Sequence, residues 1–193
     1  MTAPSDDPAS RFQCKEDWAA WLDQNHGQSA GLWLQIAKKR SKSPSVTYRE
    51  ALDIALCYGW IDGQKRPESA ETWLQRFLPR SARSLWSKIN RESALALIAS
   101  GEMKPAGLKT IENAKQAGRW DTAYDSPTGA SVPIDLQTAL DASPGAKSFF
   151  EALDKANRYA ILWRIQTVKK PETRARKIAH FIGMLERKEK IHQ

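Results

Sequence analysis

The chain has 193 residues, 41% of them hydrophobic, with a formal net charge of +8. That length suits one large domain or two small ones, with enough apolar residues for a core. No run approaches 18 consecutive apolar residues, which excludes an apolar membrane-spanning helix from the expectation.

The charge is uneven. Residues 158 to 193 hold ten Lys or Arg against three Glu, a local balance of +7, while the other 157 residues sum to +1. Such an end attracts anions, or serves as a solvated helix face. Two cysteines, Cys14 and Cys57, and three histidines, His26, His180 and His192, show no metal-ligand spacing, so neither metal nor cofactor is expected.

Met1 to Ser10 is polar, without a basic n-region or an apolar h-region. It is expected to be a flexible tail rather than a secretory signal, and a reduced, cytoplasmic protein follows from that reading. Trp18, Trp21 and Leu22 share one face of a helix predicted over Lys15 to Gln24. Leu32, Leu34 and Ile36 alternate with Trp33 and Gln35 over Gly31 to Ala37, which is a strand pattern. Lys38 to Pro44 reads as a basic loop.

Thr47 and Glu50 form a capping-box signature for a helix ending at Gly59. Trp60 to Lys65 and Thr72 to Leu78 read as an antiparallel hairpin, with Trp60, Asp62 and Gln64 on one face of the first strand. After Pro79 a helix is expected from about Ser84, interrupted near Asn90 and stopped at Gly101. Another runs from Lys104 to Ala117. Residues 123–133 read as a linker. Helical stripes follow at Leu136 and Leu140, at Phe149 and Phe150, from Ile161 to Val168, and from Ile178 to Leu185.

The expected architecture is α+β: a small antiparallel sheet with flanking helices over residues 11–122, then a C-terminal helical module over 134–193. Between Thr72 and Arg91 lie Arg76, Arg80, Arg83, Lys88 and Arg91, interleaved with Trp73, Phe77 and Trp86 and free of acidic residues. Guanidinium groups beside backbone N–H groups at a helix start make an anion site. The candidates for ligand or anion binding are Trp60, Asp62, Gln64, Arg80, Arg83, Trp86 and Asn90. Lys170, Arg174 and Lys177 are candidates for a basic surface. For each set the competing reading is structural: core Trp, Arg paired to acids, a solvated basic face.

Cys57 near a helix C-terminus reads as an inert thiol, since that position raises thiol pKa. Walker, dinucleotide, nucleophile-elbow and zinc-protease motifs do not occur in the sequence. The reading therefore leans toward binding over catalysis, with an uncharacterised enzyme acting on a small anionic ligand, Asp62 or Cys57 its acid/base or nucleophile, as an alternative.

The chain also resembles the bacteriocin-protection family, called YdeI or OmpD-associated. The resemblance rests on Asn25-His26, Gly31 to Leu34, Tyr48 to Leu52, Ala55 to Gln64, Phe77 to Arg80 and Ser84 to Asn90. It continues through Ala114 to Trp120, Pro133 to Leu136, Ala139 to Phe150 and Lys170 to Ile178, in order over about residues 11 to 190. It implies a bacterial stress or protection role against bacteriocins and cationic antimicrobial peptides, and association with an outer-membrane porin. It carries over no catalytic residues. The partner expected from the residues is an unidentified anionic ligand or protein, with nucleic acid as the alternative.

Overall fold

In a computed structural model the protein is described over residues 9–41 and 43–193. The expected tail at 1–8 and Lys42 of the basic loop lie outside the described residues. The chain forms two compact units, one of Met1–Trp86 with Asn90–Thr122, the other of Ser87–Ile89 with Ala123–Gln193.

The first unit holds β1 (Ala9–Ser10), α1 (Lys15–Asn25), β2 (Leu32–Ala37), α2 (Tyr48–Cys57), β3 (Trp60–Pro67), β4 (Thr72–Pro79), most of α3 (Lys88–Ala99) and α4 (Pro105–Gln116). The strands form one sheet ordered β1-β2-β4-β3. β2–β4 and β4–β3 are antiparallel. β1 is a two-residue parallel edge, Ala9 opposite Trp33 and Ser10 opposite Leu34. The last two residues of the expected tail are therefore strand, and the sheet is mixed.

Register places Leu32 beside Phe77, Leu34 beside Gln75 and Ile36 beside Trp73, so the alternation read from sequence selects one face. That face packs on α1 and α2. Trp18, fully buried, stacks on Trp21 at 5.5 Å and meets Phe77 at 5.6 Å and Trp60 at 6.4 Å.

The opposite face carries Trp33, only 6% exposed. The Arg66 guanidinium lies 4.3 Å and that of Arg76 5.8 Å from its ring. Much of the Trp–Arg density in the sequence is thus cation–π cover of the sheet, each contact worth about 0.5–2 kcal/mol.

β3 departs from simple alternation. Asp62 pairs with Phe77, but the next pair is Lys65 with Gln75, so a bulge occupies Gly63 and Gln64. Lys65, rather than Gln64, returns to the Trp60–Asp62 face, which corrects the shared-face expectation for Gln64. The Gln75 amide, 3% exposed, donates to the freed carbonyls of Gly63 (3.0 Å) and Gln64 (3.1 Å).

α2 starts at the expected capping box: Glu50 N donates to Thr47 Oγ1, and Thr47 N donates to Glu50 Oε2 at 2.9 Å. α3 starts at Lys88, later than expected, and runs unbroken through Asn90. Arg80–Trp86 before it is irregular.

The second unit contains α5 (Ile134–Asp141), α6 (Pro144–Ala152), α7 (Lys155–Gln166) and α8 (Pro171–Glu186). Pro144 and Pro171 sit in first turns, where a missing N–H costs nothing. Leu136, Leu140, Phe150, Ile161, Ile165, Phe181 and Leu185 supply its separate core. No helix among the described residues is long and apolar enough to cross a membrane.

Candidate functional site

β4 delivers Arg80 to one end of the sheet, where its backbone N–H donates to Gly59 O at 3.0 Å. The side chain is 9% exposed. Its Nη1 donates to Leu85 O at 3.1 Å, and its guanidinium carbon lies 3.7 Å from the centroid of the Trp86 ring. Trp86 in turn meets Trp120 edge-on at 4.8 Å. Ser81 and Ser84 close the turn between them: Ser81 N donates to Ser84 Oγ at 3.1 Å, and Arg83 N donates to Ser81 Oγ at 3.3 Å.

α4 forms the facing wall with Thr110, Asn113 and Ala114, and Arg119 follows one turn beyond it. Arg119 N donates to Ala114 O at 2.8 Å, which folds the chain back over the helix end. Together these residues enclose a cleft of about 70 Å³. Its lining holds two guanidinium groups and no carboxylate, imidazole or thiol. The Arg119 side chain, half-buried, makes no hydrogen bond or ion pair among the described residues. The Thr110 hydroxyl is engaged by Ala106 O and Gly107 O at 3.0 and 2.9 Å, so it offers lone pairs rather than a proton.

Of the sequence candidates, the cleft unites Arg80 and Trp86. Arg83 is exposed on the same turn and does not line it. Asn90 is buried on α3, outside the lining. Trp60 is a core residue, 1% exposed, whose Nε1 donates to His26 O at 3.1 Å. Asp62 accepts from the Tyr48 hydroxyl at 2.6 Å, and Gln64 sits in the bulge. None of these three lines the cleft. Thr110, Asn113 and Arg119 also line the cleft, and the sequence carries no local signal for them beyond an Arg set between the helix-stopping Gly118 and Trp120.

The basic candidates of the second unit divide similarly. Arg174 grips Asp135 with Nε at 2.5 Å and Nη2 at 2.9 Å, and its Nη1 reaches Ile165 O at 2.8 Å. Lys177 Nζ donates to Arg164 O at 3.3 Å. Both therefore brace helices, while Lys170 remains exposed before α8.

The Arg174 hydrogen bond holds the Asp135 carboxyl below its usual range, against partial burial. A depressed carboxyl stabilises the fold above its unfolded pKa of about 3.9 and loses that contribution as pH falls toward the folded value. Acidification from pH 5 to pH 2.5 should therefore lower the urea midpoint more steeply in wild type than in Arg174→Met. Equal slopes would show that the pair does not contribute.

Burial raises the Cys57 thiol to about 11, with Glu102 and Asp53 adding to the shift, so it is protonated at neutral pH. It lines a separate hollow of about 250 Å³ beside Lys15, Glu16, Glu102 and Lys104. Among the described residues no group of three or more His, Cys, Asp or Glu gathers as a metal site.

Residues 10–110 match a family model described as Domain of unknown function (DUF8412). Residues 130–188 match the model described as Bacteriocin-protection, YdeI or OmpD-Associated. No curated protein and no solved structure matches the chain. With just over half of its length inside the first model, the chain belongs to the DUF8412 family, and it carries a C-terminal domain of the bacteriocin-protection, YdeI or OmpD-associated family.

Proposed function

We propose that this is a bacteriocin-protection-type protein that acts by binding an oxyanion-bearing ligand at the Arg80–Arg119 cleft rather than by catalysis. The observation that carries the reading is the pairing of two guanidinium groups, one stacked on Trp86, in a cleft whose lining has no acidic residue. Guanidinium forks suit phosphate or carboxylate oxygens. Drug-sized ligand pockets run to about 300–1,000 Å³, so about 70 Å³ accommodates one such group of a larger molecule.

The lining also lacks any side chain suited to proton transfer near neutral pH, which supports recognition over chemistry. A cationic peptide would be repelled here. Protection on this reading therefore works through an anionic ligand rather than by sequestering the peptide in the cleft. A cytoplasmic location belongs to the same proposal, supported by the two free cysteines, and it leaves association with an outer-membrane porin to the family name alone.

Inorganic phosphate titrated by calorimetry tests it. Wild type should bind, and Arg119→Ala should bind roughly tenfold or more weakly, since a charge-assisted hydrogen bond contributes about 1.5–3 kcal/mol. The melting temperature should scarcely move, because the Arg119 side chain holds nothing else in place. Unchanged phosphate affinity in Arg119→Ala would refute the site.

A further inference from the structure

One face of α7 is unlike an ordinary solvated helix face. Lys155, Tyr159 and Trp163 form one i, i+4, i+8 row, and Ala156, Ala160 and Arg164 form the next. The other side of the helix, with Asn157, Ile161, Leu162 and Ile165, is the part buried in the core. The two outer rows line an open groove of about 540 Å³, closed at its margins by Pro127 and His192. The alanines leave a low floor beside the aromatic row, with a cation at each end, Lys155 in the first turn and Arg164 in the last, about 13 Å apart along the axis.

The groove is held in shape. Trp163 meets Tyr124 edge-on at 6.2 Å and 88°. The Tyr159 hydroxyl donates to Asp125 O at 2.9 Å. Asn157, 3% exposed, clamps the backbone of His192: Asn157 Nδ2 donates to His192 O at 3.2 Å, and His192 N donates to Asn157 Oδ1 at 2.8 Å. Lys155 is exposed and makes no ion pair among the described residues. Arg164 uses Nη1 on Ala160 O at 2.9 Å, and its other guanidinium nitrogens make no hydrogen bond among the described residues. No carboxylate lines the groove.

We propose that this groove binds a nucleotide unit, its base laid on the Trp163–Tyr159 surface and the phosphates on either side of it met by Lys155 at one end and Arg164 at the other. A base offers a π-face to an indole whatever its sequence, and the cations neutralise the phosphate. The size lies within the range of about 300–1,000 Å³ found for small-ligand sites. An acidic peptide would satisfy the cations but leave the aromatic row without a stacking partner. The nucleotide can come free in solution or as part of a single strand.

Calorimetry at low salt with AMP, a thymidine decamer and an abasic decamer of equal charge tests the proposal. The thymidine decamer should bind about tenfold or more tightly than the abasic one. Trp163→Leu should abolish that difference, while Trp163→Phe, which keeps a ring, should retain most of it. Lys155→Glu should weaken binding about fivefold or more without altering the melting temperature. AMP binding as tightly as the decamer assigns the site to free nucleotides, and binding by the decamer alone assigns it to single strands.

Equal affinity for the abasic strand would overturn the proposal, as would binding unaffected by Lys155→Glu and Trp163→Leu, or no binding at all. The preference for the thymidine over the abasic decamer should persist in Arg119→Ala, which removes the phosphate grip of the first unit's cleft; its loss in that variant would overturn the proposal.

Discussion

Replacing Trp18 with alanine is expected to remove most of the stability of the first unit. Trp18 is fully buried and contacts Phe12, Trp21, Trp60 and Phe77 with ring centroids between 5.3 and 6.4 Å. Its Nε1 also donates to Ala51 O at 3.0 Å, tying α1 to α2. Truncating a buried Trp costs about 3–5 kcal/mol through lost transfer energy and the cavity left behind. The lost hydrogen bond to Ala51 O, a carbonyl that keeps its partner within α2, adds about 0.5–1.5 kcal/mol. A domain has only about 5–15 kcal/mol in hand, so the mutant should be largely unfolded near its former midpoint. Trp18→Phe keeps a ring and loses chiefly the hydrogen bond and part of the volume, so it should fall between the two. Urea unfolding followed by far-ultraviolet circular dichroism measures this. A loss below about 1 kcal/mol for Trp18→Ala would mean the aromatic cluster is not what joins helix to sheet.

The residues of that cluster were legible because each announces itself locally. Trp18 and Leu22 lie four apart on a helix, and Leu32, Leu34 and Ile36 alternate on a strand, so either period selects the buried side. The capping box at Thr47 and Glu50 is likewise complete within four residues. What sequence did not disclose depends on partners far along the chain. The bulge at Gly63–Gln64 is satisfied by Gln75, eleven or more positions away. β1 exists only because β2 offers it an edge. The delayed start of α3 has two causes. Ser81 and Ser84 hydroxyls hold the preceding turn, and Ser87 bridges Tyr124, whose carbonyl accepts Lys88 N at 2.8 Å. Within the candidate site the same division holds. Arg80 and Trp86 stand six residues apart in an Arg- and Trp-rich run and could be singled out. Arg119 reaches them only through the packing of α4, and Trp60 and Asp62 looked like site residues because a core indole and a tyrosine-bonded carboxylate share their residue types.

That packing of α4 leads to the second large effect, expected for Gly107→Ala. On helix propensity alone the change should stabilise by about 1 kcal/mol. The surroundings reverse the sign. A Cβ at Gly107 would stand 2.4 Å from Cys57 O, 2.8 Å from Leu56 O and 2.4 Å from Met103 Sδ. Met103 can swing away, but the two carbonyls are backbone at the C-terminal end of α2, and Lys104 N already donates to one of them at 3.2 Å. Relief therefore requires α4 to withdraw from α2 as a body, an overpacking cost of about 1–3 kcal/mol that outweighs the propensity gain. The displaced helix carries Thr110, Asn113 and the turn leading to Arg119 with it, so the cleft facing Arg80 should loosen too. Gly107→Ala is accordingly expected to lower both the melting temperature and phosphate affinity, although it touches no residue of the cleft lining. A rise in melting temperature would show that the α2–α4 contact yields at little cost. A fall in stability with phosphate affinity intact would show that the cleft does not depend on where α4 sits.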